Sequence, residues 1–319
     1  MNYPPATAEV ELAALPAMEE LREISARDGV DAATTLLYQA VLDSQQHGWF
    51  IKKVQSLNQE TKPSPPPPDV KLAIVPGAFY RENPRSGADG HVVREQAERL
   101  GWRTDLIPIA STGSLQENAS TIYRWLGEHR HNRIVLVSLS KGGPDVKMAL
   151  AQSGADRAFE PVVAWINLCG LLDGTPLADW LFSRQIGAWC LRQYFRLRGQ
   201  NFGFVGDLRR GKATPLDFAL HLPAHMQMIS VAGFPLTQHL TNGMMSRCHR
   251  QLAPHGPNDG GLLLADVCAW PGLIYPIWGG DHYLRSGGDM NQLIGALLSF
   301  VGQELAACQS PPKTKLANI

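Results

Sequence analysis

The sequence predicts an α/β fold, a mostly parallel central sheet preceded by a helical extension and interrupted by a helical insertion. Three observations predict it. From residue 70 onward, short apolar runs alternate with amphipathic helical stretches, the rhythm of parallel strands joined by crossover helices. Before residue 63 the apolar positions recur only at helical spacing. Between 176 and 226 the alternation lapses into a segment rich in aromatic residues and arginine.

The elements follow in order. Leu12, Leu15, Met18 and Leu21 recur at helical spacing, and Asp31 is placed to cap a second helix that carries Leu37 and Val41 on one face and stops near Gly48. Pro63-Ser64-Pro65-Pro66-Pro67-Pro68 reads as a stiff linker. The extension is therefore expected over 1–62, the linker over 63–69, the main domain over 70–308 and a polar tail over 309–319. In the main domain strands are predicted at 71–75, 102–109, 134–137, 162–168, 228–232 and 273–278. Helices are predicted at 88–100, 116–129, 146–151 and 290–305. The insertion, with Trp180, Phe182, Trp189, Tyr194 and Phe195, is expected to be helical and to lie over the carboxyl edge of the sheet.

Composition narrows the function. With 319 residues, 44% hydrophobic and 18% charged, the chain can bury the core of one large domain. Its 29 basic and 29 acidic side chains cancel, so it lacks the positive field that nucleic-acid binding requires, and no nucleic-acid partner is expected. The five cysteines are widely spaced and odd in number, which suits neither a zinc motif nor a complete disulfide framework. The acidic N-terminus lacks the basic-then-apolar pattern of a signal peptide. No apolar run approaches the roughly 18–20 residues of a membrane span. A cytoplasmic protein without cofactor or metal is expected.

The chemistry-bearing residues concentrate at strand ends. Ser138-Leu139-Ser140-Lys141-Gly142 has the form small-x-Ser-x-Gly, directly after the apolar run 134–137 and before a helix. A nucleophile on such a sharp strand-to-helix turn needs small residues two before and two after it, because the backbones there pass closely. Ser140 is the candidate nucleophile. A serine nucleophile needs a base, and the base an orienting acid. His282, in Gly279-Gly280-Asp281-His282-Tyr283, follows the last predicted strand and is the candidate base. His221, His225, His239, His249 and His255 compete but precede the candidate acid, against the order Ser, acid, His. That acid is Asp259, on the turn-forming Asn258-Asp259-Gly260 and 23 residues before His282. Asp266 and Asp281 are alternatives, although Asp281 adjoins the base and should face away from it. Negative charge developing on a carbonyl oxygen needs waiting N–H donors. These are expected from Lys141, after the nucleophile, and from Ala78, or else Phe79, in Pro76-Gly77-Ala78-Phe79.

In order and spacing these motifs resemble the bacterial triacylglycerol lipases and related α/β-hydrolases. The resemblance spans roughly residues 70–305 and leaves the extension outside it. Pro76-Gly77-Ala78 stands at the family's oxyanion loop, with Pro76 in place of a histidine. Ser138–Pro144 stands at its elbow, with Ser138 in place of a glycine. Gly170–Trp180 stands at the segment that opens the lid, with Leu171-Leu172 for a Pro-His pair. The resemblance implies that 176–226 forms a lid above Ser140, with Trp180 and Phe182 lining an acyl pocket. Leu284 occupies the place of an aspartate that helps hold calcium in those lipases, so that ion is not expected here. The expected activity is hydrolysis of a small-molecule or lipid ester through an acyl-enzyme. The alternatives are acyl transfer by the same triad, or a non-catalytic scaffold. The N-terminal helices are a candidate contact for a partner or a second copy.

Overall fold

A computed structural model describes residues 15–59, 65–285 and 287–307. Leu12, the linker residues 63–64 and the expected tail 309–319 lie outside them. The six strands are β1 (Val70–Val75), β2 (Arg103–Leu106), β3 (Arg133–Leu139), β4 (Val162–Leu168), β5 (Gln227–Phe234) and β6 (Leu273–Trp278). They form one sheet in the order β2-β1-β3-β4-β5-β6, and every pairing is parallel. Inner strands of such a sheet are covered on both faces and read as continuous apolar runs; Ile134, Val135, Leu136 and Val137 are all buried.

The helices are α1 (Met18–Asp28), α2 (Val30–Asp43), α3 (Gln45–Leu57), α4 (His91–Arg99), α5 (Leu115–Glu128), α6 (Gly142–Leu150), α7 (Ala155–Ala158), α8 (Pro176–Ser183), α9 (Gln185–Leu197), α10 (Gly203–Asp207), α11 (Gly243–Leu252), α12 (Leu264–Ala269) and α13 (Met290–Ala307). Helices α8, α9 and α10 fill only the first part of the insertion expected to be helical over 176–226; residues 208–226 run to β5 without helix or strand. No described helix is long and apolar enough to cross a membrane.

Several expectations are corrected. Gly48 does not stop a helix: α2 ends at Asp43, and Gly48 sits inside α3, where a Cβ would collide with the Leu42 carbonyl. Asp31 does not cap α2, which starts after Gly29; its Oδ1 instead accepts the Thr237 N–H at 2.8 Å and hydroxyl at 2.9 Å. The strand expected over 102–109 shortens to Arg103–Leu106, because β2 is an edge strand and its neighbours turn inward: Trp102, Ile107 and Ile109 are buried outside it. Helix α6 begins at Gly142, directly after the elbow, and not at residue 146.

The Pro-rich segment divides the chain without dividing the core. Leu21, Leu37, Val41, Phe50 and Val54 of the N-terminal helices belong to the same buried cluster as the sheet. Phe50 packs on Phe300 of α13 with ring centroids 4.9 Å apart, and Tyr38 on Trp278 of β6 at 4.6 Å. Pro67 is itself buried.

Candidate active site

Ser140 leaves the carboxyl end of β3, near the middle of the sheet, where ligand sites of open parallel sheets collect. Its backbone is left-handed, with φ +47°, a conformation that costs a non-glycine residue on the order of 1–3 kcal/mol. Neighbouring bonds hold it there. The Ser140 N–H donates to Leu168 O at 2.9 Å, and the Gly143 N–H donates to Ser140 O at 3.0 Å. A Cβ on Gly142 would lie 2.5 Å from Val75 O and 2.8 Å from Pro76 O. That close passage is why the position two after the serine has to be glycine. Two before it, Ser138 fits because its side chain points between strands: its Oγ donates to Asn167 Oδ1 at 2.9 Å and accepts Trp165 Nε1–H at 2.8 Å.

His282 lies past β6, in a turn where its N–H donates to the Asp259 carbonyl at 2.8 Å. The imidazole bridges the other two residues. Its Nε2 is 2.9 Å from Ser140 Oγ, and its Nδ1 is 3.0 and 3.1 Å from the two carboxylate oxygens of Asp259. Asp259 is fully buried. Its Oδ1 accepts the N–H groups of Gly261 at 2.8 Å and Leu262 at 2.6 Å, as a carboxylate in a dry site requires. The turn around it is tied by Gly260 N–H on Asn258 Oδ1 at 3.0 Å and by the Thr175 hydroxyl on Gly261 O at 2.6 Å. The alternatives are committed elsewhere. Asp266 holds the Arg210 guanidinium through both oxygens. Asp281 Oδ1 accepts the N–H groups of Tyr283 at 2.9 Å and Arg285 at 3.0 Å.

Burial pulls the His282 imidazolium down, but the Asp259 carboxylate that it touches, together with Asp281, outweighs burial and lifts its pKa above the ordinary histidine value. The rival His249 is fully buried with neither ring nitrogen bonded among the described residues, and burial lowers its pKa.

The loop after β1 passes beside the nucleophile: a Cβ on Gly77 would be 3.5 Å from Ser140 Cβ. Among the described residues the N–H groups of Ala78 and Lys141 donate to no protein group, whereas Phe79 N–H is directed at Ser111 O at 3.4 Å. Phe79 is left-handed, φ +61°. The Lys141 side chain turns inward. Its Nζ donates to both Asp145 oxygens at 2.9 and 3.0 Å, and Asn118 Nδ2 donates to Asp145 at 3.0 Å. Burial pushes the Asp145 carboxyl up to about 6 against the pull of Lys141 and Asn118. Asn118 also grips Ala110, accepting its N–H at 2.9 Å and donating to its carbonyl at 3.1 Å. The buried cluster thus ties the elbow to the loop that receives Phe79 N–H. Its one legible trace in the sequence is the i, i+4 pair Lys141 and Asp145 after the serine.

The insertion reaches this loop through two aromatic rings. Phe195 of α9 and Phe204 of α10 pack on Phe79 with centroids 5.5 and 5.6 Å apart. Phe182 sits one ring further out, on Phe202 at 5.6 Å. Trp180 lies between the guanidinium groups of Arg184, at 4.5 Å, and Arg247, at 6.0 Å, and lines a separate cavity against α1.

Cys169, Asp259 and His282 place one ligand atom each within 4.8 Å of one another. Burial and then Asp259 push the Cys169 thiol well above its ordinary pKa, which opposes the thiolate a metal takes.

No protein-family model matches the chain, and no curated protein matches it in sequence. Solved structures do match. A metagenomic carboxyl esterase is 19% identical, with a TM-score of 0.56 over 77% of this chain and 79% of that one. A Bacillus licheniformis lipase in its mature form is 21% identical, with a TM-score of 0.51 over 77% of this chain and 94% of that one. With the all-parallel sheet and its flanking helices, these likenesses define the class: the chain has the α/β-hydrolase fold seen in bacterial lipases and esterases.

Proposed function

We propose that the protein is a carboxylic-ester hydrolase with Ser140 as nucleophile, His282 as base and Asp259 as orienting acid. The observation that carries this reading is the continuous chain of contacts from Ser140 Oγ through His282 Nε2, at 2.9 Å, and Nδ1 to Asp259, at 3.0 Å, on a left-handed elbow. The fold shared with an esterase and a lipase supports an ester as the substrate class.

Asp259 holds the imidazole with its proton on Nδ1, so that Nε2 accepts the Ser140 proton as Oγ attacks the ester carbonyl carbon. The carbonyl oxygen takes the electron pair and meets the N–H groups of Lys141 and Ala78. Collapse of this intermediate breaks the bond to the alcohol, which leaves with the proton from Nε2. Water then attacks the acyl-enzyme by the same sequence and releases the acid. Helices α8, α9 and α10 act as the lid, and the rings on Phe79 form the acyl side of the site.

A fluorophosphonate probe tests the assignment. It should label the native chain once, with the adduct mapped to Ser140, and Ser140→Ala should lose both labelling and p-nitrophenyl ester hydrolysis while keeping its fold. Labelling or turnover that survives in Ser140→Ala would falsify the mechanism.

A further inference from the structure

Between the N-terminal block and the insertion lies a cavity of about 480 Å³, within the range of small-ligand sites. Its walls come from α1, through Met18 and Arg22, from α8, through Trp180, and from Leu263 beside the acid turn. We propose that this cavity binds a medium-chain aliphatic carboxylate, with the carboxylate on Arg22 and the chain against Met18, Trp180 and Leu263. This would give the N-terminal block, which the hydrolase resemblance does not cover, a role in ligand binding.

Charge complementarity carries the choice of ligand. The carboxylate in the lining, Asp179, is already engaged: its oxygens accept Arg209 Nε–H at 2.9 Å and the Arg210 N–H at 3.0 Å. The Arg210 guanidinium is held on Asp266. Arg22 and His255, also in the lining, have no hydrogen-bond or ion-pair partner among the described residues. Trp180 adds the cationic neighbours Arg184 and Arg247. The field is felt at His255, whose pKa is lowered by burial and then by Arg22 and Arg210. A neutral His255 can donate one ring N–H beside the Arg22 guanidinium, and together they give an anion a charge-assisted pair of donors stronger than a neutral oxygen would receive. Met18, one turn from Arg22 on α1, and Trp180 and Leu263 add apolar surface that suits a hydrocarbon chain.

The test is calorimetric titration of octanoate into full-length Ser140→Ala protein, in which binding does not depend on hydrolysis. One octanoate should bind, and octan-1-ol should bind at least about tenfold more weakly, the size of one charge-assisted hydrogen bond. Adding Arg22→Gln, an exposed change that leaves packing intact, should weaken octanoate at least about tenfold and leave octan-1-ol unchanged; His255→Gln should weaken octanoate in the same direction. Equal octanoate affinity with and without Arg22→Gln would place the ligand elsewhere and overturn the proposal. So would equal affinity for acid and alcohol, or no heat at millimolar octanoate.

Discussion

Replacing Asp259 by asparagine separates the orienting role proposed for this acid from its packing. Oδ1 of Asp259 accepts two backbone N–H groups, from Gly261 at 2.8 Å and Leu262 at 2.6 Å. An amide NH2 cannot stand there, because it would face two donors, so the asparagine oxygen must take that place. Its NH2 then occupies the position of Oδ2, 3.0 Å from His282 Nδ1. Having only hydrogens to offer, it donates to Nδ1 and drives the ring proton to Nε2, where it points at Ser140 Oγ; the retained oxygen, 3.1 Å from Nδ1, is already committed to two backbone N–H groups. The base is held in the tautomer that cannot accept a proton. Trapping the wrong tautomer in this way costs about four decades in kcat, or about 5 kcal/mol of barrier. The fold should survive, since both backbone bonds to the side chain are kept. The assay is kcat for p-nitrophenyl butyrate with active sites counted by titration, alongside thermal unfolding. His282→Ala in the same assay should fall further, toward the loss seen for Ser140→Ala. If Asp259→Asn retains a kcat within tenfold of the parent, Asp259 does not set the tautomer, and the acid must be sought at another carboxylate.

Four further outcomes follow from the same geometry. If His282 is the base, turnover needs it neutral, and its pKa is raised above the ordinary histidine value of about 6.5, so kcat/KM should fall on acidification with a limb centred above that value; a limb well below it would contradict the Asp259 contact. A Cβ on Gly261 would lie 2.6 Å from His282 Nδ1, so Gly261→Ala should displace the ring and cost at least about 10²-fold in kcat, with unfolding curves showing a retained fold. Lys141→Met strands the fully buried Asp145 carboxylate and should cost about 3–5 kcal/mol in chemical denaturation, most of it recovered in Lys141→Met/Asp145→Leu; a loss below about 1 kcal/mol would refute the pairing. If the rings around Phe79 form the acyl side, each added methylene that they bury is worth about 0.8 kcal/mol, or about fourfold in kcat/KM, so butyrate and longer esters should outpace acetate. Phe204→Ala should flatten that series, and a flat profile in the unaltered protein would remove the rings from the substrate site.

Much of the sheet and of the Ser140–His282–Asp259 constellation was legible because both are written in short-range pattern. Strands β4 and β6 begin and end where their apolar runs do, and the elbow announces itself by an apolar strand that runs into small residues. What stayed hidden depends on partners distant in sequence. Gly48 looks like a helix stop until the close passage of Leu42 O explains it. Asp31 looks like a cap until Thr237, 206 residues away, takes its oxygen. The insertion was visible as an aromatic block, yet periodicity alone cannot say which ring meets Phe79. Trp180 closes the Gly170–Trp180 segment and Phe182 follows it, whereas Phe195 and Phe204 are brought back to Phe79 by the turns between α8, α9 and α10. Asn118 could not be assigned to the elbow either, since its link to Lys141 runs through Asp145 in the buried interior.

The N-terminal helices acquire a physical reason from the sheet order. Strand β6 is an edge, and an uncovered edge strand offers free backbone groups to any passing chain. Here α3 covers it. The Ile274 N–H donates to His47 Nδ1 at 3.3 Å, and the carbonyl of Gly272, just before the strand, accepts Gln46 Nε2–H at 3.2 Å. Burial lowers the His47 pKa, which keeps the ring neutral, the state in which Nδ1 can accept. The aromatic contacts of Phe50 with Tyr275, at 6.1 Å, and of Tyr38 with Trp278, at 4.6 Å, clamp the same strand along its length. Since β6 runs directly into the turn that carries His282, an edge strand that slipped or frayed would move the imidazole away from Ser140. The extension therefore braces the strand that leads to His282, although none of its residues belongs to the Ser140–His282–Asp259 chain of contacts.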